Sequence, residues 1–158
     1  MNTYMKVANE LALENLKTNA GGPFGACVVK DGKIIGRGSN QVLINNDPTS
    51  HAEIMAIREA CQNINSYNLE GCEIYTTCYP CPMCLSAIIW SNIKKVYYGN
   101  SKEDAKKIGF RDEFIYEYMK NIDNSTSDNN CLELKCIDRE ETIKVFNEYI
   151  GKEDKIIY

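Results

Sequence analysis

Histidine is almost missing from this chain: His51 is the only one among 158 residues. Any chemistry that needs an imidazole must run through that one position. Long apolar runs are missing too. No stretch approaches the roughly 20 residues needed to span a bilayer, and the N-terminus lacks the continuous apolar core of a signal peptide. No membrane partner and a cytoplasmic location are therefore expected. A basic excess is also absent, since the net charge is −4. Polyanion binders usually carry a basic face. The nearest thing here is Lys94, Lys95, Lys102, Lys106 and Lys107, diluted by Glu103 and Asp104. That balance weighs against a nucleic-acid partner.

Cysteine, in contrast, is abundant, with eight residues. A secreted disulfide scaffold is one reading of such a count. Three of the eight, however, form Cys78-x-x-Cys81-x-x-Cys84, and the others are mostly set in apolar segments. Reduced thiols plus a metal site fit this distribution better than a framework of bridges. The composition, 44% hydrophobic and 25% charged, reads as one globular domain spanning residues 1–158.

The apolar spacing predicts an amphipathic helix over residues 4–17, with Val7, Leu11, Leu13 and Leu16 on its apolar side, ended by Asn19-Ala-Gly-Gly22. Two short apolar runs, 24–30 and 33–38, flank Asp31-Gly32 and predict a hairpin. A polar loop follows to Ser50. Helices are expected over 51–64, 82–90, 111–120 and 140–150, and strands over 72–77, 95–99 and 131–137. Strands alternating with helical segments indicate an α/β protein, with the hairpin at one edge of a mixed sheet and helices on both faces.

His51-Ala-Glu53 is separated by 26 residues from Pro80-Cys81-Pro-Met-Cys84. One imidazole and two thiolates suit zinc, and a catalytic zinc keeps its fourth position for water. Cysteines three apart on a helical turn share one side. A helix N-terminus also favours thiolate over thiol. Glu53 is not needed as a ligand. It is placed to take a proton from a zinc-activated water and pass it to a substrate nitrogen. Other readings stand beside this one. Ser50-x-x-Glu53 matches a capping box, Cys81-x-x-Cys84 could be a redox dithiol, and Cys78 could close a structural Cys3His site.

His-x-Glu followed by Pro-Cys-x-x-Cys is the signature of zinc deaminases. With Gly21-Gly-Pro-Phe-Gly-Ala26, Asn46-Asp-Pro-Thr49 and Gly109-Phe-Arg-Asp-Glu-Phe-Ile-Tyr116, the chain resembles the cytidine deaminase-like superfamily, and within it the bacterial guanine deaminases. The resemblance implies a three-layer α/β/α fold with a mixed central sheet and one zinc per subunit, held by His51, Cys81 and Cys84. It implies Glu53 as proton shuttle and Asp112 as a second proton carrier. Asn40 and the Ala52 backbone would meet a purine ring, Phe24 and Trp90 would wall the pocket, and Tyr158 would close it. It further implies a homodimer in which the tail, residues 151–158, swaps onto the partner subunit. The expected reaction is hydrolysis of guanine to xanthine and ammonia, as a step of purine metabolism. The alternatives are deamination of guanosine, cytosine or adenosine in tRNA, or a non-catalytic protein built around a closed zinc site. Tyr79 departs from the pattern, because those enzymes usually carry Glu before Pro-Cys. Ser50 departs as well, standing where Ala is usual before the histidine.

Overall fold

The computed structural model describes residues 1–110, 112–121, 132 and 134–157. Helix α1 (Thr3–Thr18) starts at Asn2, whose side-chain oxygen accepts from the backbone N–H groups of Tyr4 and Met5, satisfying donors that have no partner inside the helix. It stops at Asn19 in the left-handed conformation, φ 54°. Strands β1 (Gly25–Lys30) and β2 (Lys33–Ser39) pair antiparallel. Asp31 and Gly32 both take positive φ between them, as a tight hairpin turn requires. A short helix α2 (Val42–Asn45) precedes α3 (Ala52–Ile64). Then follow β3 (Glu73–Cys78), α4 (Pro82–Trp90), β4 (Lys95–Asn100) and α5 (Lys102–Lys107). Helices α6 (Glu113–Asn121) and α7 (Arg139–Gly151) complete the elements among the described residues.

The sheet order is β2-β1-β3-β4. The β1–β3 pair is antiparallel and β3–β4 parallel, so the sheet is mixed and the hairpin lies at one edge. Alternation along β1 divides the core into two layers. Ala26 and Val28 join Ala52, Ala56, Ala60, Leu69, Ile74 and Ile88 on the α3 and α4 side. Cys27 and Val29 join Tyr75 on the other side, against Tyr4 and Met5 of α1. The result is the expected α/β/α sandwich. Burying a side chain such as Leu69 or Ile74 contributes about 1.5–3 kcal/mol.

The face that α1 buries differs from the one its leucines suggest. Ala8, Ala12 and Asn15 are buried, while Leu13 and Leu16 are exposed. The cause is proximity. A Cβ on Gly25 would fall 2.0 Å from the carbonyl oxygen of Ala8. At that distance only small residues fit between helix and strand.

The strand expected over 131–137 is absent at the described residues of that range. Leu132 and residues 134–138 have no regular structure, and Cys131 and Glu133 lie outside the described residues. Leu132, Leu134 and Ile137 are exposed. Strand-forming side chains make no strand by themselves, because a strand exists only through its ladder partners. Two short helices fall where no helix is predicted, α2 and α5. For α5 a signal was available: Ser101 and Asp104 form a capping box.

The chain divides into two compact units, Met1–Glu117 and Tyr118–Tyr158. The first contains the whole sheet. In the second, the Tyr149 hydroxyl donates to the carbonyl oxygen of Ile156 at 3.0 Å, tying the end of α7 to the tail. Among the described residues no helix is long and apolar enough to cross a membrane.

Candidate active site

Two helix N-termini build the site. His51 is the residue before α3 and Cys81 the residue before α4, both with extended backbone. Pro82 opens α4, where its missing N–H would have had no partner. Local polar contacts set the approach to α3. The Asp47 carboxylate accepts from the Thr49 N–H at 2.8 Å, the Thr49 hydroxyl at 2.7 Å and the Ser50 hydroxyl at 2.8 Å. These bonds hold Asp47 below the usual carboxylate range. Ser50 is thereby engaged with Asp47, and no side-chain cap forms on α3. The capping-box reading of Ser50 and Glu53 is not what the fold uses.

His51 Nδ1 lies 3.5 Å from Cys81 Sγ and 3.6 Å from Cys84 Sγ. All three candidate ligand atoms lie within 4.8 Å of one another. A tetrahedral zinc with ordinary Zn–S and Zn–N bonds separates nitrogen from sulfur by about 3.6 Å. The donor set therefore fits zinc in both chemistry and spacing. Cys81 is drawn down to about 4, because the Cys84 thiol donates to it and His51 lies alongside. Cys84 is raised in turn, holding the proton it shares with Cys81. His51 is raised, chiefly by its hydrogen bond with Cys81. Cys78 does not join the cluster. Its thiol points at the Ser101 carbonyl oxygen, 3.5 Å away, and burial pushes it up to about 11. The closed Cys3His site is not formed.

Glu53 is 6% exposed. Its Oε1 accepts from the Thr76 hydroxyl at 2.9 Å, and its Oε2 lies 3.5 Å from Cys84 Sγ. One carboxylate oxygen is thus anchored to the sheet and the other faces the candidate metal ligands. Burial raises its pKa. Sequence reasoning missed Thr76, which reads there only as a β-former; its hydroxyl faces α3 because the strand alternates.

A cavity of about 420 Å³ opens over this cluster, within the usual range for small-molecule sites. Phe24, Asn40, Ala52, His51, Glu53 and Asp112 all line it. Asn40 Oδ1 accepts from the N–H groups of Gly22 and Val42, each at 3.2 Å. Its amide NH2 is therefore the end with capacity left for a ligand. Asn15, 4% exposed, holds this corner by donating to the carbonyl oxygens of Gly22 at 2.8 Å and Asn40 at 2.7 Å. Asp112 sits just before α6 and its carboxyl is raised by burial. Phe110, not assigned from sequence, packs edge-on against Phe24 with ring centroids 4.7 Å apart. Tyr79 lines the cavity too. Trp90 does not. It ends α4 with 67% of its surface exposed, because α4 turns Cys84 and Ile88 inward instead. Tyr158 lies outside the described residues.

Two facing helix ends that offer one imidazole and two thiolates, beside a buried carboxylate in an α/β/α sandwich, define a zinc-dependent aminohydrolase. The chain belongs to the family described as the cytidine and deoxycytidylate deaminase zinc-binding region, whose model matches residues 1–100. It is 51% identical over 115 residues to the guanine deaminase of Bacillus subtilis, covering 73% of this chain and 74% of that protein. The X-ray structure of guanine deaminase from Bacillus subtilis superposes with a TM-score of 0.91 at 41% identity, covering 100% of this chain and 99% of the other. A tRNA-specific adenosine deaminase of Buchnera aphidicola is 43% identical over 118 residues, 75% of this chain and 78% of its own length.

Proposed function

We propose that this protein hydrolyses guanine to xanthine and ammonia. The observation that carries the reading is the likeness to a guanine deaminase over the full chain, at TM-score 0.91, together with a cavity that offers both a metal triad and a buried carboxylate. The balance is simple: water adds its oxygen at C2 of the purine, the C2–N bond breaks, and ammonia leaves. His51, Cys81 and Cys84 would hold a zinc ion, which would supply Lewis-acid activation of the attacking water near neutral pH. Glu53 takes a proton from the attacking water on Oε2, since Oε1 is held by Thr76, and passes it to a ring nitrogen. Asp112 is the second proton carrier, at the departing amine. The Asn40 NH2 donates to an acceptor on the purine edge, with the Ala52 backbone beside it. Phe24 and Phe110 form the apolar wall that excludes water around the ring.

The protein acts as a homodimer in which residues 151–158 cross to the partner and Tyr158 closes the pocket. The exposed Phe146, Ile150, Ile156 and Ile157 of the second unit support this, as apolar surface that an interface would cover. Cytoplasmic purine metabolism is the corresponding setting. Sedimentation of the purified chain tests the dimer: a monomer at micromolar concentration sinks that part.

Liquid chromatography of the products tests the substrate. Xanthine forms from guanine, while guanosine, too bulky for a closed pocket, is turned over far more slowly. Equal turnover of the two would refute the closed pocket. A second reading, deamination of adenosine in tRNA, draws on the Buchnera relative. The net charge of −4 opposes it, and inosine formed in an anticodon stem-loop would establish it.

A further inference from the structure

Among the described residues no side chain hydrogen-bonds the Asp112 carboxylate, so the backbone around it decides where it points. That backbone is the start of α6. The N–H groups of Ile115 and Tyr116 donate to the Asp112 carbonyl oxygen at 3.1 and 3.3 Å. Tyr116 reaches in turn to the metal loop: its hydroxyl donates to the Pro80 carbonyl oxygen at 2.6 Å, one residue before Cys81. Pro80 is fully buried, so this acceptor is a fixed point. Lys102 holds the Tyr116 ring from α5. Its ammonium stands 3.7 Å from the centre of that ring and 4.5 Å from the centre of the Tyr79 ring. Tyr79 is itself fixed, edge-on to Tyr98 with centroids 5.0 Å apart and with its N–H on the Asn100 carbonyl oxygen at 2.8 Å.

A cation between two ring faces is attracted to both. A carboxylate at position 79 would instead draw the ammonium into an ion pair and away from Tyr116. The presence of Tyr79 therefore belongs with Lys102. Packing alone does not require the Tyr116 hydroxyl, because Phe would fill the same volume.

We propose that Tyr116 is a positioning residue for Asp112: its hydroxyl on Pro80 and the Lys102 ammonium on its ring fix the first turn of α6 against the metal loop. The inference rests on Asp112 being the second proton carrier. Its test is a double-mutant cycle on the zinc-loaded full chain, run on whichever base the wild type deaminates. Tyr116→Phe, Asp112→Asn and the double variant are compared for kcat, KM, zinc content and melting temperature. Tyr116→Phe is expected to lower kcat about tenfold with KM within about twofold and zinc retained. In the Asp112→Asn background the same change costs less than about twofold, because the residue it positions is already gone. Multiplying losses, or full kcat in Tyr116→Phe, overturn the proposal. Full kcat in Asp112→Asn overturns the Asp112 role and the proposal with it, while absence of guanine turnover by the wild type bears only on the substrate. If Tyr116→Phe does not fold, Lys102→Met, at an exposed position, goes through the same cycle with the same expectations.

Discussion

Replacing Gly38 by Ala tests how the fold sets the position of the site. Gly38 is on β2, directly beneath the start of α3. An added Cβ would meet the carbonyl oxygen of Ala52 at 2.1 Å, the nitrogen of Ala56 at 2.5 Å and Cβ of Met55 at 2.9 Å. Two of these are backbone atoms, so no side chain can swing aside. The helix must retreat by about 1 Å to restore contact distances. Ala52 lies between His51 and Glu53, so both move with it. Overpacking of this kind costs about 1–3 kcal/mol, or roughly 2–12 °C in melting temperature for a chain of this size. A displacement of about 1 Å at a reacting group costs about 100-fold in rate. Gly36→Ala is the control. Its Cβ would fall 2.2 Å from the Ala56 carbonyl oxygen, one turn further from His51. Melting curves and ammonia release are measured on both. The two variants should lose similar stability, and Gly38→Ala should lose far more activity. A Gly38→Ala protein with wild-type melting temperature and kcat would refute the reasoning, since the gap would then accept a methyl group.

Two further predictions concern the carboxylate and the spare thiol. Thr76→Val keeps the shape of the buried side chain but removes the donor on Glu53 Oε1; kcat falls about 10- to 100-fold with zinc unchanged, the size of one hydrogen bond to a charged group, and Thr76→Ser restores most of it. Equal loss in both Thr76 variants would point to packing instead. Cys78→Ser retains zinc by elemental analysis, because the Cys78 thiol faces Ser101; loss of zinc would make it a ligand.

What the sequence makes legible follows range. His51, Cys81 and Cys84 read as one cluster because each is tied to a helix start, and turn chemistry and proline mark those starts locally. The hairpin is legible for the same reason, through Asp31-Gly32. Long-range contacts are not. That α1 buries alanines depends on how closely Gly25 approaches it across the chain. That Thr76 holds Glu53 depends on strand register, 23 residues away. Trp90 is large and sits in an apolar run, yet α4 turns Cys84 and Ile88 inward and leaves it at the surface. Residues 132 and 134–138 have strand-like composition and no regular structure, because composition alone supplies no ladder partner.

Ammonia release by the zinc-loaded protein tests the central claim most directly, with guanine, guanosine, adenine, cytosine and cytidine compared in parallel and Glu53→Ala as the blank. The account predicts release from guanine far faster than from any of the others, and a Glu53→Ala protein that keeps its zinc and fold but loses nearly all turnover. Release from another base with silence on guanine would contradict the proposed substrate. Guanine turnover that survives in Glu53→Ala would contradict the proposed mechanism.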